Sequence, residues 1–159
     1  MKVIYAGSFD PVTKGHIDII ERAISIFGEV IVAVLNNPSK KGLFTVEERL
    51  ELLREVLGDG PIEIDAFEGL LVDYAKKKGC RTIIRGLRSA ADYEAEYVLA
   101  MANKNYQEGI ETLFLLASND YLFVSSSLAK EVARFDGDLS MFVPEPVGRA
   151  MKQKLAKES

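Results

Sequence analysis

The chain has 159 residues, a length typical of one domain, and its 48% hydrophobic and 28% charged residues are ordinary for a globular protein. Its net charge of −4 argues against a protein whose main partner is a nucleic-acid backbone, and no apolar run is long enough to span a membrane. Cys80 is the only cysteine, which excludes an intramolecular disulfide and a cysteine-rich metal site. Because a strand is predicted directly after Met1, we expect no signal peptide and a cytoplasmic protein.

Hydrophobic runs typical of buried strands alternate along the chain with segments of helical periodicity. Strands are predicted at 2–6, 30–35, 62–67, 81–86 and 111–117, and helices at 15–27, 45–57, 70–78, 90–106, 125–135 and 145–156. The strands are continuously apolar, as expected where helices cover both faces of a sheet. This order predicts an α/β fold, a Rossmann-like doubly wound parallel sheet of five strands, in one domain spanning 1–159.

In such sheets, ligands bind at the carboxyl ends of the strands, where the strand order reverses. That rule selects the loops 7–15, 36–44, 85–90 and 117–126. The first of them leads into His16, the only histidine of the chain, within GSFDPVTKGH. A helix that starts here presents unpaired N–H groups to an anion, and His16 adds a donor even as neutral imidazole. A solvated histidine in a first helical turn is the alternative, but the spacing G-x-F-D-P-x-x-x-G-H favours a functional site.

Basic side chains follow two other predicted strands. Lys40 lies in the loop after the second strand, where it is either a solvated charge or a group that neutralises a phosphate. Arg85 and Arg88 leave the end of the fourth strand with Gly86 between them. Since arginine binds phosphate as a planar fork, these two arginines are predicted to be functional.

Acidic and hydroxyl side chains complete the set of candidates. Asp92 and Glu96 lie four residues apart on one helix face, where they are either a catalytic carboxylate pair or solvated helix charges, and we expect Asp92 to be structural. Three serines, 125–127, precede the fifth predicted helix. One serine suffices for a helix cap, whereas three also supply hydroxyl and amide groups for a polyphosphate, and the pattern alone leaves both possibilities open.

Several common catalytic motifs are missing from the sequence. There is no P-loop and no G-x-G-x-x-G, and one histidine with one cysteine does not favour a transition metal held by the protein. The remaining inventory of one histidine, one or two lysines, two arginines and helix N-termini suits phosphate chemistry that works by positioning and charge stabilisation.

Four segments, GSFDPVTKGHIDII, NPSKKGLFTVEERL, IIRGLRSAADYEAE and VSSSLAKEVARFDGD, resemble in order and spacing the phosphopantetheine adenylyltransferases, a nucleotidyltransferase family of coenzyme A biosynthesis. The resemblance covers nearly the whole chain. It implies that ATP and 4′-phosphopantetheine react to give dephospho-coenzyme A and pyrophosphate, without a covalent intermediate and with Mg²⁺ bound through the ATP phosphates. It also implies a homohexamer that coenzyme A inhibits by feedback.

The resemblance further implies roles for individual residues. His16 corresponds to a transition-state stabiliser at the α-phosphate, and Lys40, Ser8 and Arg88 are expected to act with it. Residues expected to bind phosphopantetheine are Ser8, Lys40, Leu71, Arg85 and Asn103. Residues expected to bind ATP are Ser8, Phe9, His16, Gly86, Leu87, Arg88, Glu96, Tyr121, Leu122, Phe123, Val124, Ser125, Ser126 and Ser127.

Three other functions would each account for part of the sequence. A cytidylyltransferase acting on a phosphorylated alcohol shares the first motif, but such enzymes usually carry a segment like RTEGISTT where this chain has FVSSSLAKEV. A non-catalytic nucleotide-binding module is disfavoured because His16, Lys40, Arg85 and Arg88 are all present. RNA binding through the basic stretch 76–88 is disfavoured because that stretch has no interleaved aromatic residues.

The predicted helix 90–106 bears on assembly. Its middle, YVLAMA, is apolar nearly all round. Either the helix packs against another chain as well as its own sheet, or it is buried within the monomer.

Overall fold

A computed structural model describes residues 1–158 and contains one sheet of five parallel strands. The strands are β1 (Lys2–Gly7), β2 (Glu29–Leu35), β3 (Ile62–Phe67), β4 (Thr82–Leu87) and β5 (Glu111–Leu116). They lie in the order β3-β2-β1-β4-β5. The predicted doubly wound parallel sheet is therefore confirmed, with every strand boundary within one residue of its predicted position.

The six predicted helices are also present. They are α1 (Lys14–Phe27), α2 (Val46–Leu57), α3 (Leu71–Lys77), α4 (Ala90–Tyr106), α5 (Ser126–Arg134) and α6 (Glu145–Glu158). The sequence prediction missed a short 3-10 turn at Asn119–Tyr121, which is too short to produce a hydrophobic period. No helix in residues 1–158 is long and apolar enough to cross a membrane.

Alternation of side chains along the strands builds a core on each face of the sheet. Val3 and Tyr5 of β1 join buried residues of α1, α2, α5 and α6, whereas Ile4 and Ala6 join buried residues of α3. Because the strand order reverses between β1 and β4, the loops after these two strands open at the same edge of the sheet.

The prediction that all strands are covered on both faces is wrong for β5. None of its residues is buried, and Leu116 is 70% exposed. The helix beside it, α4, likewise has no buried residue. The second possibility for α4, burial within the monomer, is therefore wrong, because no other element within residues 1–158 covers this outer side.

Candidate active site

A cavity of about 320 Å³ opens at the carboxyl ends of β1, β4 and β5. It collects twelve of the residues that the sequence singled out, although they are spread over 120 positions of the chain. These residues are Ser8, Phe9, His16, Arg85, Gly86, Arg88, Glu96, Tyr121, Val124, Ser125, Ser126 and Ser127.

Six predicted site residues do not line this cavity. Lys40 is exposed in the loop after β2, Leu71 packs at the start of α3, and Leu87 is buried at the end of β4. Asn103 lies partly buried on α4, and Leu122 and Phe123 are about half exposed. Their predicted roles require a ligand that extends beyond the cavity or a movement of the loops that carry them.

The fold fixes the chemical form of His16. Thr13 is the N-cap of α1, and its hydroxyl accepts a hydrogen bond from the backbone N–H of His16. In return, the backbone N–H of Thr13 donates to Nδ1 of His16 at 3.0 Å. Histidine thus takes the place that glutamate holds in an ordinary capping box. Since Nδ1 accepts, Nε2 carries the proton of the neutral ring and is the nitrogen left to donate to a ligand.

The surroundings keep this ring neutral. Burial, together with the positive charges of Arg88 and Arg85, lowers the pKa of His16 to about 4. His16 is therefore uncharged at pH 7, and its Nε2–H is available as a hydrogen-bond donor. The sequence position alone did not reveal that the partner of Nδ1 is Thr13, although the T-x-x-H spacing is the signal that it had available.

The loop before α1 holds Phe9 in a conformation that bulky residues rarely adopt. Phe9 has a φ of 46° and is almost completely buried, with its ring 4.9 Å from that of His16. A Cβ on Gly7 would lie only 3.3 Å from the Phe9 ring. Strained backbone of this kind concentrates at functional sites, and here it seats Phe9 under the histidine ring.

Two arginine–carboxylate pairs form part of the cavity wall. Arg85 donates to both carboxylate oxygens of Glu96 at 2.6 Å and to the backbone oxygen of Ala6. The Arg88 backbone N–H and Nε donate to Asp92 at 3.0 and 3.2 Å. Arg85 and Arg88 are therefore held in place before any substrate binds, and Asp92 has the structural role expected of it.

Arg88 also links this wall to the loop 121–127. Its Nη1 donates to the backbone oxygen of Val124 at 3.0 Å. Within the same loop, Ser125 caps α5, and Ser126 donates to the backbone oxygen of Pro11 at 2.8 Å. The hydroxyl of Ser127 has no partner within residues 1–158. Two of the three serine hydroxyls, those of Ser125 and Ser126, therefore have structural partners, and the third is free to bind a ligand.

Asp10 forms a hub that the sequence analysis missed. Asp10 is 4% exposed, and its carboxylate accepts from the backbone N–H groups of Leu43 and Phe44, both at 2.8 Å. Arg49 of α2 and Lys130 of α5 form ion pairs with it at 3.4 Å. This hub, which we call the Asp10 hub, ties the loop before α1, the end of the loop that carries Lys40, and α5 into one unit.

A second linkage anchors the segment after β5. The Ser118 hydroxyl lies 2.9 Å from both carboxylate oxygens of Asp18 on α1. Arg22, one turn further along α1, donates to Asp18 and to the backbone oxygen of Leu116. These contacts fix the start of the segment that leads into the loop 121–127.

Comparison with known proteins agrees with this geometry. The cytidylyltransferase-like family model matches residues 4–132, which include most of β1, all of β2 to β5 and most of the cavity wall. A putative nicotinate-nucleotide adenylyltransferase from Vibrio parahaemolyticus has the same fold, with a TM-score of 0.71 over 99% of this chain and 96% of that one. At 15% sequence identity, this likeness bears on the fold alone.

Full-length relatives are much more similar in sequence. The phosphopantetheine adenylyltransferase of Caldanaerobacter subterraneus is 52% identical over 155 residues, which are 97% of each chain. Those of Carboxydothermus hydrogenoformans and Alkaliphilus metalliredigens are 52% and 51% identical over 156 residues, and the matches cover at least 96% of each protein. The chain belongs to the cytidylyltransferase-like family and, within it, to the phosphopantetheine adenylyltransferases.

Proposed function

We propose that this protein transfers the adenylyl group of ATP to 4′-phosphopantetheine, giving dephospho-coenzyme A and pyrophosphate in the cytoplasm. The observation that carries the proposal is one cavity in which a neutral histidine donor, two anchored arginines and a serine-lined helix start converge. The roughly 50% identity to phosphopantetheine adenylyltransferases over nearly the whole chain supports the same substrates.

The attacking group in this reaction needs no general base. A phosphate monoester is mostly deprotonated at pH 7, because its second pKa is about 6. The neutral state of His16 is compatible with this reaction, because the nucleophile has already lost its proton and His16 is not needed as a base. Catalysis then consists of aligning the two phosphates and stabilising the charge that builds on the α-phosphoryl oxygens.

We assign this charge stabilisation to His16. The proton on Nε2 donates to an α-phosphoryl oxygen, and the Thr13 N–H holds the ring in the required tautomer through Nδ1. Lys40 adds positive charge when its loop approaches the substrate, because its ammonium group has no partner within residues 1–158. Donors of this kind act most strongly when the fold orients them in advance.

The two ends of the reacting system have different partners. Ser8, Lys40 and Arg85 bind the phosphate of phosphopantetheine, and Leu71 and Asn103 lie along its pantetheine arm. Arg88, with the start of α5 at Ser126 and Ser127, holds the departing pyrophosphate. The α5 N-terminus suits this role because it presents unpaired N–H groups and the positive end of the helix dipole.

The remaining predicted residues contact the nucleotide. Phe9, Gly86, Leu87 and the loop from Tyr121 to Ser125 enclose adenine and ribose. Glu96 can accept a hydrogen bond from the nucleoside and still keep its ion pair with Arg85, because each carboxylate oxygen has a second lone pair.

Mg²⁺ belongs to this proposal as a partner of ATP. Within residues 1–158, no group of three or more His, Cys, Asp or Glu side chains is placed to hold a metal ion. The two cavity carboxylates, Asp92 and Glu96, are already paired with arginines. The donor set therefore fits an ion held by the phosphate oxygens of ATP, and such an ion neutralises phosphate charge.

Pyrophosphate release tests the proposed reaction. The protein is incubated with ATP and Mg²⁺, with and without 4′-phosphopantetheine, and CTP replaces ATP as the control nucleotide. We expect release only when ATP and phosphopantetheine are both present. Release with CTP and another phosphorylated acceptor, or no release at all, would overturn the proposal.

We further propose that the chain forms a homohexamer and that coenzyme A inhibits it by feedback. The assembly is supported by exposed apolar residues on α4 and β5, which we call the α4–β5 surface; they are Tyr93, Tyr97, Val98, Leu99, Met101 and Leu116. Exposed apolar residues concentrated on neighbouring elements are typical of protein–protein contacts. Light scattering should give about six times the 17.6 kDa of one chain, and coenzyme A added to the assay should lower the rate.

A further inference from the structure

The floor of the cavity contains a tyrosine that none of the preceding roles uses. Tyr5 of β1 is 7% exposed and lines the cavity, with its ring 5.5 Å from that of Phe9 and 6.3 Å from that of His16. Its hydroxyl oxygen lies 3.8 Å from the position that a Cβ on Gly86 would take. The phenol therefore reaches the carboxyl end of β4, beside the segment that carries Arg85.

The hydroxyl of Tyr5 has no hydrogen-bond partner within residues 1–158. Among the described residues, the one fully enclosed side-chain polar atom without a partner is Thr112 Oγ1, so the unpaired Tyr5 oxygen is open to the cavity that Tyr5 lines, where a ligand can reach it. A second tyrosine, Tyr74, shows the ordinary arrangement, because its hydroxyl donates to Asp65 at 2.9 Å.

Charges around the phenol determine what it can bind. Burial raises the pKa of the Tyr5 hydroxyl well above its usual value, so the group stays protonated at neutral pH. Arg85 and Arg88 face it with positive charge, and Glu96 and Asp18 with negative charge. Each arginine is already paired with a carboxylate, whereas the phenol O–H is uncommitted and lies among the groups assigned to phosphate binding.

We propose that the Tyr5 hydroxyl is a further substrate-binding group, which donates a hydrogen bond to a phosphate oxygen of the substrate held between His16 and Arg85. This inference rests on the adenylyl transfer proposed above. The phosphate belongs either to phosphopantetheine or to the α position of ATP, and the two sources share the same chemistry. A neutral donor suits this place because it adds a hydrogen bond without disturbing the existing arginine–carboxylate pairs.

Tyr5→Phe tests the inference because it removes the hydroxyl and keeps the ring. The steady-state KM for each substrate and the equilibrium Kd for ATP and for phosphopantetheine are measured on wild type and variant. We expect a rise of about 3- to 10-fold for at least one substrate, the range of one lost hydrogen bond. A rise for phosphopantetheine assigns its phosphate as the acceptor, and a rise for ATP assigns the α-phosphate.

Thermal unfolding separates binding from a merely structural role. Tyr5→Phe removes a hydroxyl that has no protein partner, so we expect its Tm to be unchanged or higher than that of wild type. The matched control is Tyr74→Phe, which removes a hydroxyl bonded to Asp65 outside the cavity. For this control we expect a lower Tm and unchanged KM values.

Two outcomes would overturn the inference. One is an active wild type whose Tyr5→Phe variant has unchanged KM and Kd for both substrates. The other is a Tyr5→Phe variant that loses Tm without any change in substrate binding. A wild type that releases no pyrophosphate from ATP and phosphopantetheine instead rejects the proposed function itself, so the two failures are distinguishable.

Discussion

A histidine whose Nδ1 accepts a backbone hydrogen bond and whose pKa lies far below 7 serves as a donor of defined direction. His16 meets both conditions, through Thr13 on one side and through burial beside two arginines on the other. Its proposed role consequently depends on Nε2–H alone. This makes the role testable by removing the ring and by measuring its protonation.

Replacing His16 by alanine should lower kcat by roughly 10²–10³, the usual effect of a lost oxyanion donor. KM and the Kd for ATP should change far less, because the donor acts on charge that develops in the transition state. Steady-state kinetics and equilibrium binding measure the two effects. A variant with wild-type kcat would end the assignment.

The ionisation of His16 is directly measurable because the chain has no other histidine. The imidazole proton resonances should not shift between pH 8 and about pH 5, and should titrate only near pH 4. A titration midpoint near 6.5 would contradict the neutral-donor role.

The same pKa predicts how stability depends on pH. The unfolded chain protonates His16 near pH 6.5 and the folded chain only near pH 4, so the unfolded state binds more protons between these values. The contribution of His16 to the free energy of unfolding should therefore fall as pH is lowered from 6.5 to about 4. Urea unfolding at pH 7 and 5 should show a smaller loss for His16→Asn than for wild type.

At the scale of elements, the Asp10 hub anchors the loop that carries Lys40. The loop that carries Lys40 is anchored at its far end by Asp10, which accepts from Leu43 and Phe44. Close packing at Gly42 is part of this anchor, since a Cβ there would clash with the Arg49 guanidinium and lie 2.8 Å from Asp10 Oδ2. The glycine is required by this close approach.

Gly42→Ala should therefore disturb the hub. We expect it to lower the free energy of unfolding by about 1–3 kcal/mol, as overpacking usually does. It should raise KM for phosphopantetheine more than KM for ATP, because the displaced loop carries Lys40. The control is Gly60→Ala, where an added Cβ has no neighbour within 4 Å. Equal effects of the two variants, by kinetics and urea unfolding, would argue against the hub.

At the scale of the whole molecule, the α4–β5 surface is the feature that a single chain leaves unexplained. Val98 is 67% exposed and Leu116 is 70% exposed, although both belong to regular elements of the fold. Packing within its own chain contributes little to the stability of α4, because none of its residues is buried. We therefore expect other chains to cover its apolar residues.

Val98→Lys should break this contact. A charge at the centre of a dry interface is costly, so the particle mass should fall below that of wild type while the circular dichroism of the chain stays the same. Phe135→Lys is the matched control, because Phe135 is 83% exposed and follows α5, which packs against α6. A Val98→Lys variant with unchanged mass by light scattering would exclude this surface as the interface.

The sequence by itself determined the order of strands and helices and the edge of the sheet where the site lies. Hydrophobic periodicity is a local property, and parallel strands linked by helices permit few topologies. The same residues also indicated most of the cavity wall, since His16 and Arg88 follow the ends of β1 and β4 and Arg85 lies in the carboxyl-terminal half of β4. Hydrophobic periodicity did not predict that β5 and α4 are exposed in the single chain. The pattern of apolar residues is the same whether another part of the same chain or a second chain covers them.

Only the tertiary structure decided which side chains meet. The Asp10 hub joins residues that are up to 120 positions apart, and no local pattern encodes such a contact. The proton position on His16 depends on Thr13, and the free hydroxyl of Tyr5 is visible only once its neighbours are known to be occupied. Sequence pattern reports which groups a chain possesses, whereas hydrogen bonding and burial, which depend on three-dimensional neighbours, decide which of them remain available for chemistry.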